Sequence, residues 1–539
     1  MINLRVGVFL NVIFLANSLL GQNITNVYNF GGNDYDNILY LKIDSLGNKI
    51  ILSECSPDLS IAQDSLYPLG STDVYLFKQN DTDSILWSKH FGLPEASFNP
   101  QFCLTIDGSG NIIAGIPIES GFSYGDIIFC EDSVFMYDST FCFPDSYCSY
   151  TILFKFSPDG KLLWTKKSFY PVPITADNND YLYMHGEYNN SDTAYLLQKV
   201  DSMGNLIWNL GYTCDNPAGI QSITTNNSGN ILVAGYYYTN ICLGPFTLNS
   251  AGNDDAYITL VDSNGNYLWA KSAGGTDYEN LNMAVFDNQG NIYFVGNAKD
   301  DMLFDSMQIS SYYNYYTYVA KYRSDGEFLW VKALDGVYTP LNDIATDREG
   351  NLFLLSAITE NVDLGNGVFI SFINSASNCI LIKLDSNGVA QWGVNLGGGQ
   401  NEGNSLVIGR DSTIYTAEYY YDHLNFDLYD LNSYGAYDVC IITLEDNQDI
   451  TAVNVMKPVA HQFSIVPNPA NDHIMVNFDL LPGDGEISIY DLRGREVLRN
   501  KVLRNENHIS LSLKTLTPEL FIIKLETAFE TFTEKLVVK

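Results

Sequence analysis

Through the middle of the chain, apolar and polar residues alternate in short runs, and each run is closed by a cluster of Asp, Asn, Ser and Gly. Alternation at period two predicts half-buried β-strands, and the closing clusters predict tight turns. Within 255–269, Tyr257, Thr259 and Val261 alternate before the turn, and Tyr267 and Trp269 after it. Asp262 opens a type I turn and Gly265 takes the left-handed position that follows, an arrangement that joins antiparallel strands through a short bulged loop.

The same pattern ends at each of six Trp residues, 87, 164, 208, 269, 330 and 392, separated by 77, 44, 61, 61 and 62 positions. Five copies carry Lys nine positions before the Trp (Lys78, Lys155, Lys199, Lys321, Lys383), and five carry Gly four positions before it (Gly160, Gly204, Gly265, Gly326, Gly388). A second hairpin precedes this one in every period; ITTNNSGNILVAG (223–235) and AVFDNQGNIYFVG (284–296) are two of its seven copies. Two hairpins make a four-stranded unit, which must stack on its neighbours to bury both faces. Seven such units predict an all-β, seven-bladed β-propeller of four-stranded blades. The link after Trp269, AKSAGGTDYEN, reappears as VYNFGGNDYDN at 27–37 without its preceding hairpin strand, whereas the unit from 395 to 450 has no Trp. The strand Ile24 to Phe30 is therefore expected to complete the seventh blade and leave no open sheet edge. The Trp rings are expected to wedge between blades.

The GN hairpin, the GGxDYxN link and the hairpin ending in Trp together resemble the seven-bladed β-propeller repeat family of secreted bacterial proteins. That family is defined by architecture, so the resemblance implies no reaction. After TAVNVMKPVAHQ (451–462) the composition shifts: residues 460–539 hold nine Lys or Arg against eleven Asp or Glu, leaving −33 of the net −35 on the residues before them. Seven short alternating strands there predict a small immunoglobulin-like β-sandwich. Its Pro467, Asn468 and Pro469, its central turn ending at Gly494, and its terminal run from Lys535 to Lys539 resemble the C-terminal sorting domain of the type IX secretion system of Bacteroidetes. The resemblance implies recognition by the secretion machinery at the outer membrane, removal of the domain, and cargo attached to the cell surface or released.

At the other end, Arg5 precedes an apolar run from Val6 to Leu15, followed by small and polar residues up to Gly21. This reads as a secretory signal peptide cleaved near Gly21. The expected organisation is a signal peptide at 1–21, the propeller at 22–450, a linker at 451–461 and the sorting domain at 462–539. Localisation is then secreted or outer-membrane cell surface after periplasmic transit, with no transmembrane segment.

Charge narrows the partners: 28 Lys plus Arg against 63 Asp plus Glu exclude nucleic acid, whose phosphates need concentrated cations. Of nine Cys, only Cys130, Cys142 and Cys148 cluster, which suits one local bridge; the other six lie along apolar strands as expected for buried thiols. Of six His, only His90, His185 and His423 fall in the repeats, each in a different unit, and no nucleophile elbow, P-loop or HExxH motif occurs. No catalytic residue, cofactor or metal ligand is assigned. The Asp-rich turns faintly resemble calcium loops but lack the bidentate Glu, so they read as plain turns, with weak Ca2+ binding by the acidic surface left open.

In a meander of this kind the tight turns all fall at one end of the sheets. The GGxDYxN links and the long excursions at 240–253, at 310–318 and around the Cys-bearing insert fall at the other. Variable loops on a rigid scaffold are where binding usually sits. The candidate ligand face is therefore marked by Asp34, Tyr35, Asp36, Asp277, Tyr278, Tyr315 and Tyr316. The reading favours a surface binding or adhesion module for a glycan or a protein. The alternatives are an extracellular carbohydrate-active enzyme on the same scaffold and a surface scaffold with no small ligand.

Overall fold

The computed structural model describes residues 22–446 and 464–539, apart from 33–34, 56–71, 94–101, 121–126, 130–132, 136–147, 169–172, 186–193, 215–217, 306, 311–314, 338–340, 373–376, 398–400, 427–428, 467–468, 478–484, 492–494, 503–507, 515, 518–519 and 528–530. The signal peptide, the linker and Cys130 and Cys142 lie outside the described residues. Every regular element among those described is a strand, so the chain is all-β. It divides into two compact units, Met1–Asn454 and Val455–Lys539.

Among the described residues the first unit holds seven antiparallel sheets, each built around a four-stranded meander, and one two-stranded sheet, Val362–Gly365 with Val368–Ile370. The first holds Asn37–Ile43, Lys49–Cys55, Thr72–Gln79 and Ile85–Leu93; the fourth holds Gly219–Thr225, Ile231–Tyr237, Asp255–Val261 and Tyr267–Gly275; the fifth runs from Glu279–Phe286 to Phe328–Leu334. The seventh departs from chain order: Asn401–Ile408, Thr413–Phe426 and Tyr429–Asp446 are joined by Gln22–Phe30, which pairs with the last of them from Gln22 opposite Asp446 to Phe30 opposite Val439. The N-terminal strand thus supplies the fourth strand of the last sheet, as its link sequence foretold.

Buried apolar residues fall into seven groups, one between each pair of successive sheets, and the seventh group packs Phe30 and Val439 of the last sheet against Ile38, Ile51 and Tyr75 of the first. First strands also meet first strands around the series. Thr225 Oγ1 donates to Ala176 O at 3.0 Å between the third and fourth sheets, Thr346 Oγ1 to Phe286 O at 3.0 Å between the fifth and sixth, and Leu406 N to Asp343 Oδ2 at 2.7 Å between the sixth and seventh. From the seventh back to the first, Leu41 N donates to Ser405 Oγ at 3.1 Å.

The turns are built as the Asp-x-x-Gly spacing requires. Gly265 N donates to Asp262 O at 3.0 Å, Asp262 Oδ1 accepts the N–H groups of Asn264 and Asn266, each at 2.9 Å, and Gly265 adopts φ +87. Asp262 Oδ2 takes the Asn266 amide at 2.9 Å, so this carboxylate is engaged within its own turn.

The long excursions correct one expectation. Instead of standing as loops, the segment at 240–249 and Ile127–Phe129 of the Cys-bearing insert, together with 302–309 just before the Tyr-rich excursion, fold into hairpins that extend the preceding sheet at its outer edge. Ile127–Phe129 pairs with Ile85–Leu93, Asn240–Leu243 with Leu206–Cys214, and Met302–Phe304 with Tyr267–Gly275. An outer strand presents unpaired N–H and C=O groups, and covering them with a hairpin removes a template for unwanted pairing. In the second unit, a three-stranded sheet (Ser464–Val466, His473–Asn477, His508–Ser512) and a four-stranded sheet (Glu496–Val502, Gly485–Asp491, Leu520–Thr527, Thr531–Val537) enclose a shared core that includes Ile474, Ile487, Phe521 and Leu536.

Candidate functional site

The Trp residues and the Lys nine positions before them act together at the turn end of the sheets. Cross-strand pairing sets each Lys opposite its Trp, as with Lys155 and Trp164, and both reach the same carbonyl in the next sheet. Trp164 Nε1 and Lys155 Nζ each donate to Ser202 O at 2.9 Å; Trp330 Nε1 and Lys321 Nζ donate to Ser386 O at 3.2 and 3.1 Å. The Lys also meets a turn acid of its own sheet, Lys155 with Asp107 at 2.7 Å and Lys78 with Asp44 at 2.8 Å. The indole lies against the turn Gly of the next sheet: a Cβ on Gly160 would sit 2.7 Å from the Trp87 ring, and one on Gly326 3.0 Å from the Trp269 ring. The Trp are therefore inter-sheet wedges. The Lys shares that task, a role its spacing alone did not reveal.

Where the seventh sheet closes, both halves of this device change. No turn joins Asp446 to Gln22, and the Asp446 carboxylate stands in for the missing carbonyl, accepting Trp392 Nε1 at 3.1 Å and pairing with Lys383. The register places Asn26 in the Trp position of the seventh sheet, opposite Thr443. In the first sheet Asp83, with φ 60, stands where other turns have Gly, and Asn26 Nδ2 donates to Asp83 Oδ2 at 2.6 Å.

At the opposite end, the candidate ligand residues separate by burial. Tyr35, Tyr278 and Tyr315 are exposed, whereas Asp36 and Tyr316 are buried; Asp34 lies outside the described residues. Tyr316 belongs to the core between the fourth and fifth sheets, because successive strand residues point to opposite faces and its neighbour Tyr315 already faces out. Asp36 is a structural acceptor, taking Gly32 N at 2.6 Å. Its counterpart in the next copy of the link, Glu279, takes Gly275 N at 2.7 Å. Burial, then the carboxylates of Asp255, Asp254 and Asp277, raise the Glu279 carboxyl to about 7. Asp277 pairs with Lys299 at 2.5 Å, and that ammonium sits 5.9 Å from the Tyr315 ring centre.

Tyr35 has company that the motif did not announce. Its ring lies 5.0 Å from Tyr437 and 6.4 Å from Tyr419, and Tyr437 in turn lies 5.1 Å from Tyr421. The link places Tyr35 by a parallel bridge to Tyr437, while Tyr421 and Tyr437 face each other across adjacent strands. Tyr35 and Tyr421 are 48% and 46% exposed, so four rings from three chain segments form one open aromatic cluster. A signal for it lies in the sequence, since Tyr419, Tyr421 and Tyr437 alternate with buried Tyr420 and Asp438. On the turn end, a pocket of about 330 Å³ lies between the fifth and sixth sheets, lined by Asp287, Asn291, Lys321, Trp330 and Glu349. Its Trp330 is occupied on both sides, by Gly388 and by an edge contact with Tyr293.

The three repeat histidines stay apart. His90 stacks on Tyr75 at 4.4 Å in the first sheet, burial lowers the pKa of His185 in the third, and His423 lies in the seventh. Cys55, Cys103, Cys379 and Cys440 are buried and Cys214 and Cys242 half-buried.

In the second unit, the two ends of the sorting motif meet. Ala470 N donates to Val537 O and Lys539 N to Ala470 O, both at 2.8 Å, which sets Pro469 beside the terminal strand and leaves Lys535 and Lys539 exposed. Pro467, Asn468 and Gly494 lie outside the described residues.

Residues 464–539 match the family of secretion system C-terminal sorting domains. The chain therefore carries a type IX sorting domain and is exported to the cell surface or secreted. Over 450 residues, 66% of the chain, it is 22% identical to an uncharacterized WD repeat-containing protein of Acanthamoeba polyphaga mimivirus, and it spans about a third (32%) of that relative's length. Among solved structures, a member of the duf4221 family from Bacteroides vulgatus overlaps 62% of this chain and 92% of its own, at 11% identity and a TM-score of 0.28. Latent dimeric PorU from Porphyromonas gingivalis overlaps 67% of this chain and 31% of its own, at 11% identity and a TM-score of 0.13.

Proposed function

We propose that the seven sheets are the blades of a closed β-propeller, and that the exported chain is a binding module whose ligand face is the link end. One observation carries this reading: the open cluster of Tyr35, Tyr419, Tyr421 and Tyr437. Exposed rings held by neighbouring rings lose little freedom on binding, and each offers an apolar face with a hydroxyl at its tip. That combination suits the alternating CH faces and hydroxyls of a sugar chain. The large negative charge of the unit repels polyanions, so the reading favours neutral glycans. Tyr35→Ala and Tyr421→Ala should each weaken retention on a neutral-glycan array by about 5- to 30-fold, or about 1–2 kcal/mol, as for aromatic anchors. Tyr238→Ala, an exposed ring elsewhere, should leave retention unchanged. Retention insensitive to both cluster substitutions would remove the basis for the assignment.

A further inference from the structure

The link between the fourth and fifth sheets delivers Glu279 to the interior, where its side chain is fully buried. Glu279 pairs with Ala298 on one side of the strand Ile292–Lys299, and Tyr316 pairs with Ala298 on the other. Cross-strand partners share a face, so Glu279 and Tyr316 point the same way across one small residue. Both are incompletely satisfied: Glu279 Oε2 accepts Gly275 N at 2.7 Å, but Glu279 Oε1 and Tyr316 Oη are buried with no hydrogen-bond partner among the described residues. An oxygen stripped of water and left unpaired is costly, above all on a charged carboxylate.

A carbonyl stands at the same place. A Cβ on Gly275 would lie 3.2 Å from Glu279 Oε1 and would collide with Asp301 O. Asp301 precedes Met302, which pairs with Gly275 and begins the hairpin 302–309 that covers the outer edge of the fourth sheet. A neutral carboxyl can donate its Oε1 proton to that carbonyl while Oε2 keeps the Gly275 bond. An ionised one has only acceptors to set against the carbonyl, and the unused donor on its own face is the Tyr316 hydroxyl.

We propose that Glu279 is a pH-sensitive latch: protonated, it ties Asp301 and the 302–309 hairpin to the edge of the fourth sheet, and ionised, it turns to Tyr316 and lets the hairpin open. Acids dominate its surroundings. Burial, then the charges of Asp255, Asp254 and Asp277, raise its carboxyl to about 7. Asp301, Asp300 and Asp335 join Glu279 in the field around Tyr316, and Tyr318 is the other phenol that feels the Glu279 charge. The neighbouring cations are engaged, Lys299 with Asp277 and Lys271 with Asp305, and the Asp301 carboxylate accepts Gln308 Nε2 at 2.7 Å inside the hairpin. Because its folded value lies above the ordinary glutamate range, the latched state holds the extra proton. Its advantage is therefore complete below that range and is lost as pH rises to about 7.

Hydrogen exchange of the full chain, read by mass spectrometry and corrected for the intrinsic pH dependence of exchange, tests the latch without any glycan, so its outcome is independent of the ligand reading above. Protection of 302–309 should fall by up to about tenfold per pH unit between about pH 5 and 7 and level off above, as one proton requires. The 240–249 hairpin, which covers the third sheet in the same way, should keep its protection. Glu279→Gln carries a permanent donor and acceptor, so at about pH 8 it should keep the protection that wild type shows at about pH 5. Tyr316→Phe removes the donor for the ionised form and should deepen the loss above about pH 7. Protection of 302–309 that ignores pH in the wild-type chain, or that falls as steeply in Glu279→Gln, would overturn the proposal. If Glu279→Gln fails to fold, Tyr316→Phe decides, and a loss at about pH 8 no deeper than wild type refutes the latch.

Discussion

Asp446 offers the sharpest test of how the first unit is held together. Elsewhere a Trp, in four copies together with its Lys, grips a main-chain carbonyl, which no substitution can delete; at the seam the same grip falls on a side chain. Lys383 and Asp446 are 6% and 5% exposed as side chains, and Asp347 stands 3.6 Å from the Lys383 ammonium as a second acid. Breaking a buried ion pair by removing one partner costs about 3–5 kcal/mol, and the remaining acid places the expected loss near the lower end, at about 3 kcal/mol. Losing the 3.1 Å bond from Trp392 Nε1 adds about 1 kcal/mol. Asp446→Ala should therefore cost about 3–4 kcal/mol, and Asp446→Asn, which keeps one acceptor, about half of that. Urea unfolding followed by Trp fluorescence is the assay, since all six Trp lie before residue 393 and report on the first unit alone. Adding Lys383→Met to Asp446→Ala should recover part of the loss, because the stranded ammonium disappears. An Asp446→Ala midpoint within about 0.5 kcal/mol of wild type, the scatter of ordinary surface substitutions, would refute the reasoning.

Gly47 and Gly160 share a left-handed φ (85 and 84), but a Cβ at Gly47 meets nothing within 4 Å while one at Gly160 strikes the Trp87 ring. Gly47→Ala should cost about 1–2 kcal/mol and Gly160→Ala clearly more in the same urea assay. Replacing the Asn240–Asn249 hairpin by a short turn uncovers the edge of Leu206–Cys214, and size-exclusion chromatography should show self-association with the melting temperature nearly kept. Burial raises the Asp343 carboxyl pKa, so the stability it contributes is complete below the ordinary aspartate range near 4 and falls as pH rises through its folded value. Asp343→Asn should flatten that fall in thermal melts taken from about pH 4 upward. Deleting Phe463 to Lys539 should leave the first unit folded but strand it in the periplasm, read by cell fractionation and Trp fluorescence.

The hairpins were legible because their chemistry is local. Asp262 and Gly265 set a turn within four residues, and the seam followed from one link sequence appearing without its strand. The interaction partners were less legible. Nothing near Lys155 says that its ammonium will reach Ser202, since that contact spans 47 positions and depends on how two sheets stack. The excursions misled for a related reason: whether 240–249 stands as a loop or pairs with an edge depends on what the preceding sheet leaves open. Tyr315 and Tyr316 are different, because period-two alternation forbids two adjacent strand residues from sharing a face. Reading that alternation strictly would have kept Tyr315 and dropped Tyr316, and along 419–421 it would have found the outward pair Tyr419 and Tyr421.

The two GGxDY links show how one backbone device can carry two chemistries. In both, the acid that follows the Tyr donates its N–H to a main-chain carbonyl of the neighbouring segment, Asp36 to Tyr437 and Glu279 to Asp254, each at 3.0 Å. In both, a glycine makes room for a buried carboxylate, Gly31 for Asp438 and Gly274 for Asp255, where a Cβ would collide. The main chain is thus fixed by groups that stay buried, and the variable position is the residue whose carbonyl takes that N–H. Tyr437 there completes an aromatic cluster with Tyr35, whereas Asp254 there sets a carboxylate beside Tyr278. Exchanging those two residues, Tyr437→Asp and Asp254→Tyr, changes what each link presents without touching its hydrogen bonds, since both donors use the main-chain carbonyl. If the links are interchangeable frames, the exchanged chain should lose glycan retention at the seam while keeping its stability within about 1 kcal/mol of wild type. A collapse in stability would show instead that each frame is held by its own side chain.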